Sequence, residues 1–161
     1  PDVMNMLQIL SLEIERMPKS PLREFSDMFN LPYHSVCTTS THDMTPLRNW
    51  WKEDPEKTQR YYNHVLQRIG EAPDECTAEI VAQIISNHLK TRSMLTIIPL
   101  QDWFAMDDSI KRKDIESERI NVPANSTHYW RYRMHITLEQ LLQADNLNNK
   151  IVSLIKEAGR K

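Results

Sequence analysis

The sequence predicts an α/β fold built on a parallel sheet, and three observations predict it. Residues 10–15, 35–40 and 94–98 have strand composition. Helical periodicity with proline and glycine punctuation fills the interval before the third of these and the chain after it. No turn-linked pair of strands of the hairpin type occurs, so the strands join through crossovers, as in βαβ units. The expected order is helix, strand, loop, strand, helices, strand, long loop, helices.

The elements follow in chain order. Leu10-Ser11-Leu12-Glu13-Ile14-Glu15 alternates apolar and polar residues, and Met17-Pro18 stops it. The second strand follows Pro32 and is rich in Val and Thr. Thr45-Pro46 reads as an N-cap followed by a first-turn proline, opening a helix over 47–52. Asp54-Pro55 repeats the signal and opens a helix over 56–69, closed by Gly70. Thr77 caps a third helix whose Ile80, Ile84, Ile85 and Leu89 share one face. Met94 to Ile98 is a nearly continuous apolar run ended by Pro99, the pattern of a strand buried on both faces. Residues 107–125 are charged, then turn-rich, and long enough for a functional loop. Thr137 and Gln140 form a capping box before Leu141-Leu142. Leu147, Ile151, Leu154 and Ile155 make the core stripe of the last helix, with Gly159 after it.

At 161 residues the chain forms one unit, 1–161, with room for a sizeable core. Its apolar content of 40% and charged content of 26% are those of an ordinary globular protein. Twenty basic against 22 acidic side chains give a net charge of −2, so neither nucleic acid nor a membrane surface is an expected partner. No apolar run approaches the roughly 20 residues of a membrane span. Cys37 and Cys76 lack metal-ligand spacing and read as reduced thiols of a cytoplasmic protein. No metal or cofactor is expected. The chain starts at Pro1 without an initiator Met, and its first residues lead to the expectation of no signal peptide. A three-stranded sheet also leaves two apolar edges, so the chain is expected to be part of a larger fold.

In parallel α/β architectures, binding groups gather at the carboxyl ends of the strands. Those ends carry Arg16, then His42-Asp43, then Gln101-Asp102-Trp103. Together they suit a polar, neutral, ring-shaped ligand. Taken alone, Asp43 reads as the cap of the next helix. A Ser40-His42-Asp43 triad is disfavoured, because neighbours on one strand end do not converge on one point. Trp50-Trp51 reads as one core and one half-buried residue. Trp130-Arg131-Tyr132-Arg133 reads as a packed strand or anchored loop rather than a nucleic-acid strip.

Four motifs in order resemble the 4-α-glucanotransferases, the amylomaltases and disproportionating enzymes. They are Thr39-Ser40-Thr41-His42-Asp43 with Leu47-Arg48-Asn49-Trp50-Trp51; Pro99-Leu100-Gln101-Asp102; Arg119-Ile120-Asn121-Val122-Pro123; and Tyr129-Trp130-Arg131-Tyr132-Arg133. Leu12 to Pro18 is similar to the family's sixth strand. Pro123-Ala124-Asn125 and His128-Tyr129-Trp130 stand where bacterial amylomaltases carry Pro-Gly-Thr and Gly-Asn-Trp. That variation looks closer to the larger enzymes of starch and maltose metabolism, in which maltose donates glucose to a longer glycan.

The resemblance implies a TIM (β/α)8 barrel, of which this chain supplies about strands six to eight with their helices, the C-terminal part. It implies a retaining mechanism in which an Asp nucleophile forms a glycosyl-enzyme and a Glu acts as acid/base. Both would lie on strands four and five, upstream of Pro1, leaving this chain inactive alone. Asp43 is then the transition-state stabiliser, and His42 hydrogen-bonds the sugar. Asn121 and Gln101 are further sugar or supporting contacts. Trp103 and Trp130 are either stacking platforms or core residues. The implied partners are maltose or maltodextrin and an acceptor glycan. Exposed strand edges add self-association as an expectation. The competing reading is a non-catalytic α/β interaction or glycan-binding module.

Overall fold

The structure, a computed structural model, describes residues 2–160. It contains α1 (Asp2–Met6), β1 (Ser11–Ile14), β2 (Ser35–Thr38), α2 (Leu47–Glu53), α3 (Pro55–Arg60), α4 (Ala78–Leu89), β3 (Leu95–Thr96), α5 (Leu100–Phe104), α6 (Leu138–Leu142) and α7 (Asp145–Glu157). Short 3-10 turns lie at Met28–Asn30 and Glu116–Glu118. The sheet runs β1-β2-β3, with both pairs parallel, as the alternation of elements predicts. Leu12, Val36 and Leu95 share one row across the sheet, and Glu13, Cys37 and Thr96 share the next. None of the described helices is long and apolar enough to cross a membrane.

Local chemistry explains the helix starts. Asp54 accepts the Lys57 N–H at 3.0 Å, with Pro55 in the first turn. Thr77 Oγ1 accepts from Ile80 N at 3.3 Å. The capping box of Thr137 and Gln140 is present in both directions, at 3.2 and 2.8 Å. On α4, Ile80, Val81, Ile84, Ile85 and Leu89 are buried, as their spacing predicts. Each contributes roughly 1.5–3 kcal/mol by leaving water. They pack with α2, Tyr61, Phe104 and Leu147 into the main core.

Four expectations need correction. The helix over 56–69 stops early: after Arg60 it widens into a π turn at Tyr61–Val65, and Gln67 has φ 56°. Side-chain amides give the backbone an alternative here. Gln83 donates to Leu66 O, and Asn63 to Arg68 O, both at 2.8 Å. Second, Trp50 and Trp51 are both buried. Trp51 does so without an orphaned donor, because its indole N–H reaches Pro73 O at 2.8 Å. Trp50 lies under the Arg16 guanidinium, 5.0 Å from its ring centroid.

Third, β3 is not buried on both faces. Leu95 is 45% and Ile97, just past the strand, 58% exposed, because β3 is an edge strand of the sheet. Fourth, Thr45 does not cap α2. The helix starts after Pro46, and the Leu47 N–H is taken by Asp102 from α5 at 2.9 Å.

Candidate active site

The site grows from the turn that follows β2. The Thr41 hydroxyl accepts the Asp43 N–H at 3.3 Å, and Thr41 O accepts the Met44 N–H at 3.1 Å. This tight turn, an ST-type local bond, holds His42 and Asp43 outward at the carboxyl end of the strand. Both side chains are about half exposed. Asp43 caps no helix. Its Oδ1 accepts from Asn121 Nδ2 at 2.6 Å, and its Oδ2 lies 3.2 Å from His42 Nε2. The other atom of the Asn121 amide accepts the Val122 N–H at 2.9 Å, which fixes which way the amide points. Asp43 and Asn121, 78 residues apart, thus meet across the strand end.

Beside His42 opens a cavity of 370 Å³, lined among others by Ser40, Thr41, Gln101, Glu118 and Tyr132. On its other side His42 packs against Trp130, ring centroids 4.7 Å apart and planes at 47°. Trp130 remains 59% exposed, so its indole has free surface. The segment that carries it has no regular structure and is anchored at several points. His128 Nε2 pairs with Ile120 O at 3.0 Å, and Arg112 donates to Arg133 O at 2.6 Å. It is an anchored loop rather than a strand. A larger cleft of 590 Å³ runs between α3 and residues 71–74 and holds none of the sequence-predicted site residues.

Beneath the turn lies a buried polar layer. Arg16 donates from Nη2 to Thr39 O and to Thr45 O, both at 2.9 Å, so it staples the strand end rather than facing the cavity. Asp102, fully buried, accepts the Thr39 hydroxyl at 2.6 Å as well as the Leu47 N–H. Burial pushes its carboxyl up, against the pull of those donors and of Arg16. Gln101 is buried and donates to Glu118 O at 3.0 Å while lining the cavity. Trp103 packs on the main core and does not line the cavity.

Sequence reasoning missed Glu118. It sits in the charged stretch that the sequence offers only as a loop, yet it is 2% exposed and paired with buried Arg48 at 3.0 Å. Burial pushes its carboxyl up to about 7, although Arg48 pulls the other way. The only signal was its place in the segment that ends in Asn121-Val122-Pro123. Chemically, Asp43 is a carboxylate with one oxygen held by an amide, the other beside an imidazole, and its remaining lone pairs facing solvent. Such a group accepts hydroxyl hydrogen bonds or stabilises a nearby positive charge.

Comparisons with known proteins place the chain in a family. The family model of 4-alpha-glucanotransferase (glycoside hydrolase family 77) matches residues 1–139. The 4-alpha-glucanotransferase DPE2 of Oryza sativa subsp. japonica is 39% identical over 98% of the chain, which spans 17% of that protein. A 4-alpha-glucanotransferase of Chlamydia trachomatis is 31% identical over 74% of the chain, spanning 22% of that protein. Among solved structures, the amylomaltase of Streptococcus agalactiae in complex with acarbose superposes with a TM-score of 0.73 at 16% identity. It covers 99% of this chain, which in turn spans 29% of it. The likeness in structure shows the fold, a part of the amylomaltase architecture. With a family model covering residues 1–139 of 161, the chain belongs to the 4-alpha-glucanotransferase family.

Proposed function

We propose that this chain is the C-terminal part, about strands six to eight, of a 4-α-glucanotransferase barrel. The whole enzyme transfers α-1,4-glucosyl units from maltose or maltodextrin to an acceptor glycan with retention. The observation that carries the reading is Asp43, held on one oxygen by Asn121 and flanked by His42 at the end of a parallel strand. A carboxylate fixed in this way needs no reorganisation when positive charge develops on a bound sugar. His42 hydrogen-bonds a sugar hydroxyl, Trp130 offers its exposed face to a glucose ring, and Gln101 supports the cavity wall. The nucleophile and the acid/base belong to upstream strands, and the 161 residues by themselves are inactive. The chain spans under a third of its relatives, which supports that division.

Two further parts of the proposal concern surroundings. Cys37 and Cys76 are both buried free thiols, in keeping with the cytoplasm. β1 and β3 are the edges of the sheet, and the isolated chain associates with a second copy along them. Sedimentation of a monomer at high concentration would count against that.

In the full-length enzyme Asp43→Asn should reduce kcat on the order of 10²–10³-fold, by analogy with loss of one preorganised group. Activity surviving within about twofold would remove Asp43 from the mechanism. The exposed Trp130 beside His42 favours a second reading, glycan binding without transfer. Full-length protein that binds maltodextrin, seen by Trp fluorescence, but never disproportionates it would select that one.

A further inference from the structure

We propose that the buried Arg48–Glu118 pair positions Asn121 against Asp43, and so sets the site's geometry without touching substrate. The inference rests on the transferase reading above. Asn121 reaches Asp43 from a segment with no regular structure of its own, between the 3-10 turn Glu116–Glu118 and the Trp130 loop. Something must therefore fix it in space. Three bonds converge on the turn. Arg48 Nη1 donates to Glu118 Oε1 at 3.0 Å, Gln101 Nε2 to Glu118 O at 3.0 Å, and Asn49 Nδ2 to Glu116 Oε1 at 3.0 Å. All three donors project from short helices, α2 and α5, and all three are buried. Asn121 follows Glu118 by three residues, so a shift of the turn is transmitted directly to its amide.

The pair is a costly way to hold a loop. Glu118 is 2% exposed, and its Oε2 has no hydrogen-bond partner. A buried ion pair with one orphaned oxygen is weak evidence for stability, since apolar packing of equal volume usually does as well. Its defined orientation is the benefit: Arg48 Nη1 also donates to Arg112 O at 2.7 Å, locking the loop on both sides of the turn. Misplacement of a positioned group by about 1 Å is enough to lower a rate on the order of 10²-fold.

The test is a double-mutant cycle in the full-length enzyme. Glu118→Ala, which removes the acceptor for Arg48, should lower kcat about 10- to 100-fold with KM within about twofold. In an Asn121→Ala background the same change should add less than about twofold, because the group it positions is gone. Equal losses in both backgrounds overturn the proposal and leave Glu118 a stability residue. Should Glu118→Ala fail to fold, Arg48→Lys, which keeps the charge and loses the fork, goes through the same cycle with the same expectation. A second readout needs no catalysis. The Asn121 side-chain amide protons, followed by NMR, should lose their protection from exchange in the folded Glu118→Ala or Arg48→Lys protein. Unchanged protection overturns the proposal even if the wild type proves not to be a transferase, and inactivity of the wild type with lost protection overturns only the functional reading.

Discussion

Asp102 separates two effects that a buried carboxylate combines, its role as acceptor and its charge. It is fully buried under the β2 turn and takes the Thr39 hydroxyl at 2.6 Å and the Leu47 N–H at 2.9 Å. Asp102→Ala leaves both donors buried and unpaired, at about 1–3 kcal/mol each. Relief of the desolvated charge returns part of that, for a net loss of about 3 kcal/mol. Asp102→Asn keeps an acceptor for Leu47, and the Thr39 hydroxyl can rotate to accept from the new amide, so about 0–1 kcal/mol is expected. In urea, with m about 1–3 kcal/mol/M, the Ala variant's midpoint should fall by about 1–3 M and the Asn variant's by a few tenths. Trp fluorescence reads both, since Trp50 and Trp51 lie in the core. The carboxyl is raised by burial, so the folded state holds its proton after the unfolded chain has lost it. Its contribution is therefore complete below the ordinary value of 3.8 and disappears as pH rises through the folded pKa. That slope should vanish in Asp102→Asn. An Asn variant as unstable as Ala would refute the acceptor argument and assign the effect to charge.

Two further outcomes check other parts of the fold. Burial raises both thiols, that of Cys76 the more. Alkylation of either at neutral pH should wait on unfolding, and labelling of the native chain within minutes would contradict the core as described. Thr137→Ala removes one half of the capping box and should lower stability by about 1 kcal/mol in chemical denaturation.

Local signals were the legible part of the chain. Asp54-Pro55, Thr77 and the Thr137–Gln140 pair each act on backbone within four residues, so reading them needs no tertiary information. The cap of α2 was invisible for the opposite reason: its acceptor is Asp102, 55 residues downstream. Asp43 misleads in the same way. A carboxylate just before a helix reads as a cap, but the turn at Thr41 points it outward, and its partner comes from Asn121. Motif resemblance, not local chemistry, singled it out. Glu118 lay beyond both routes, because the charged stretch from Lys111 to Arg119 carries no sign that one member is buried. The Trp50-Trp51 pair shows a related limit. Adjacent positions on a helix face different ways, and only the packing of Arg16 over one and Pro73 against the other lets both be covered.

The sheet reverses the usual meaning of alternation, and the reversal bears on what the whole fold must be. In β1 and at the residue after it the alternate positions are carboxylates, Glu13 and Glu15, each buried and paired: Glu13 with Ser11 and Lys19, Glu15 with the Tyr61 hydroxyl. The opposite face carries Leu12, Leu95 and Ile97, all 45% exposed or more, beside Ile14, which is buried. Leaving such side chains half in water forfeits up to about 1 kcal/mol apiece. A stand-alone α/β unit would place its apolar row against its helices. A closed barrel does otherwise, because its strands bury one row in the interior and the other under the helices. Partly exposed apolar side chains on that face are what neighbouring strands of a barrel would carry. That placement supports the barrel reading independently of any sequence motif, since it depends only on which side of the sheet water touches.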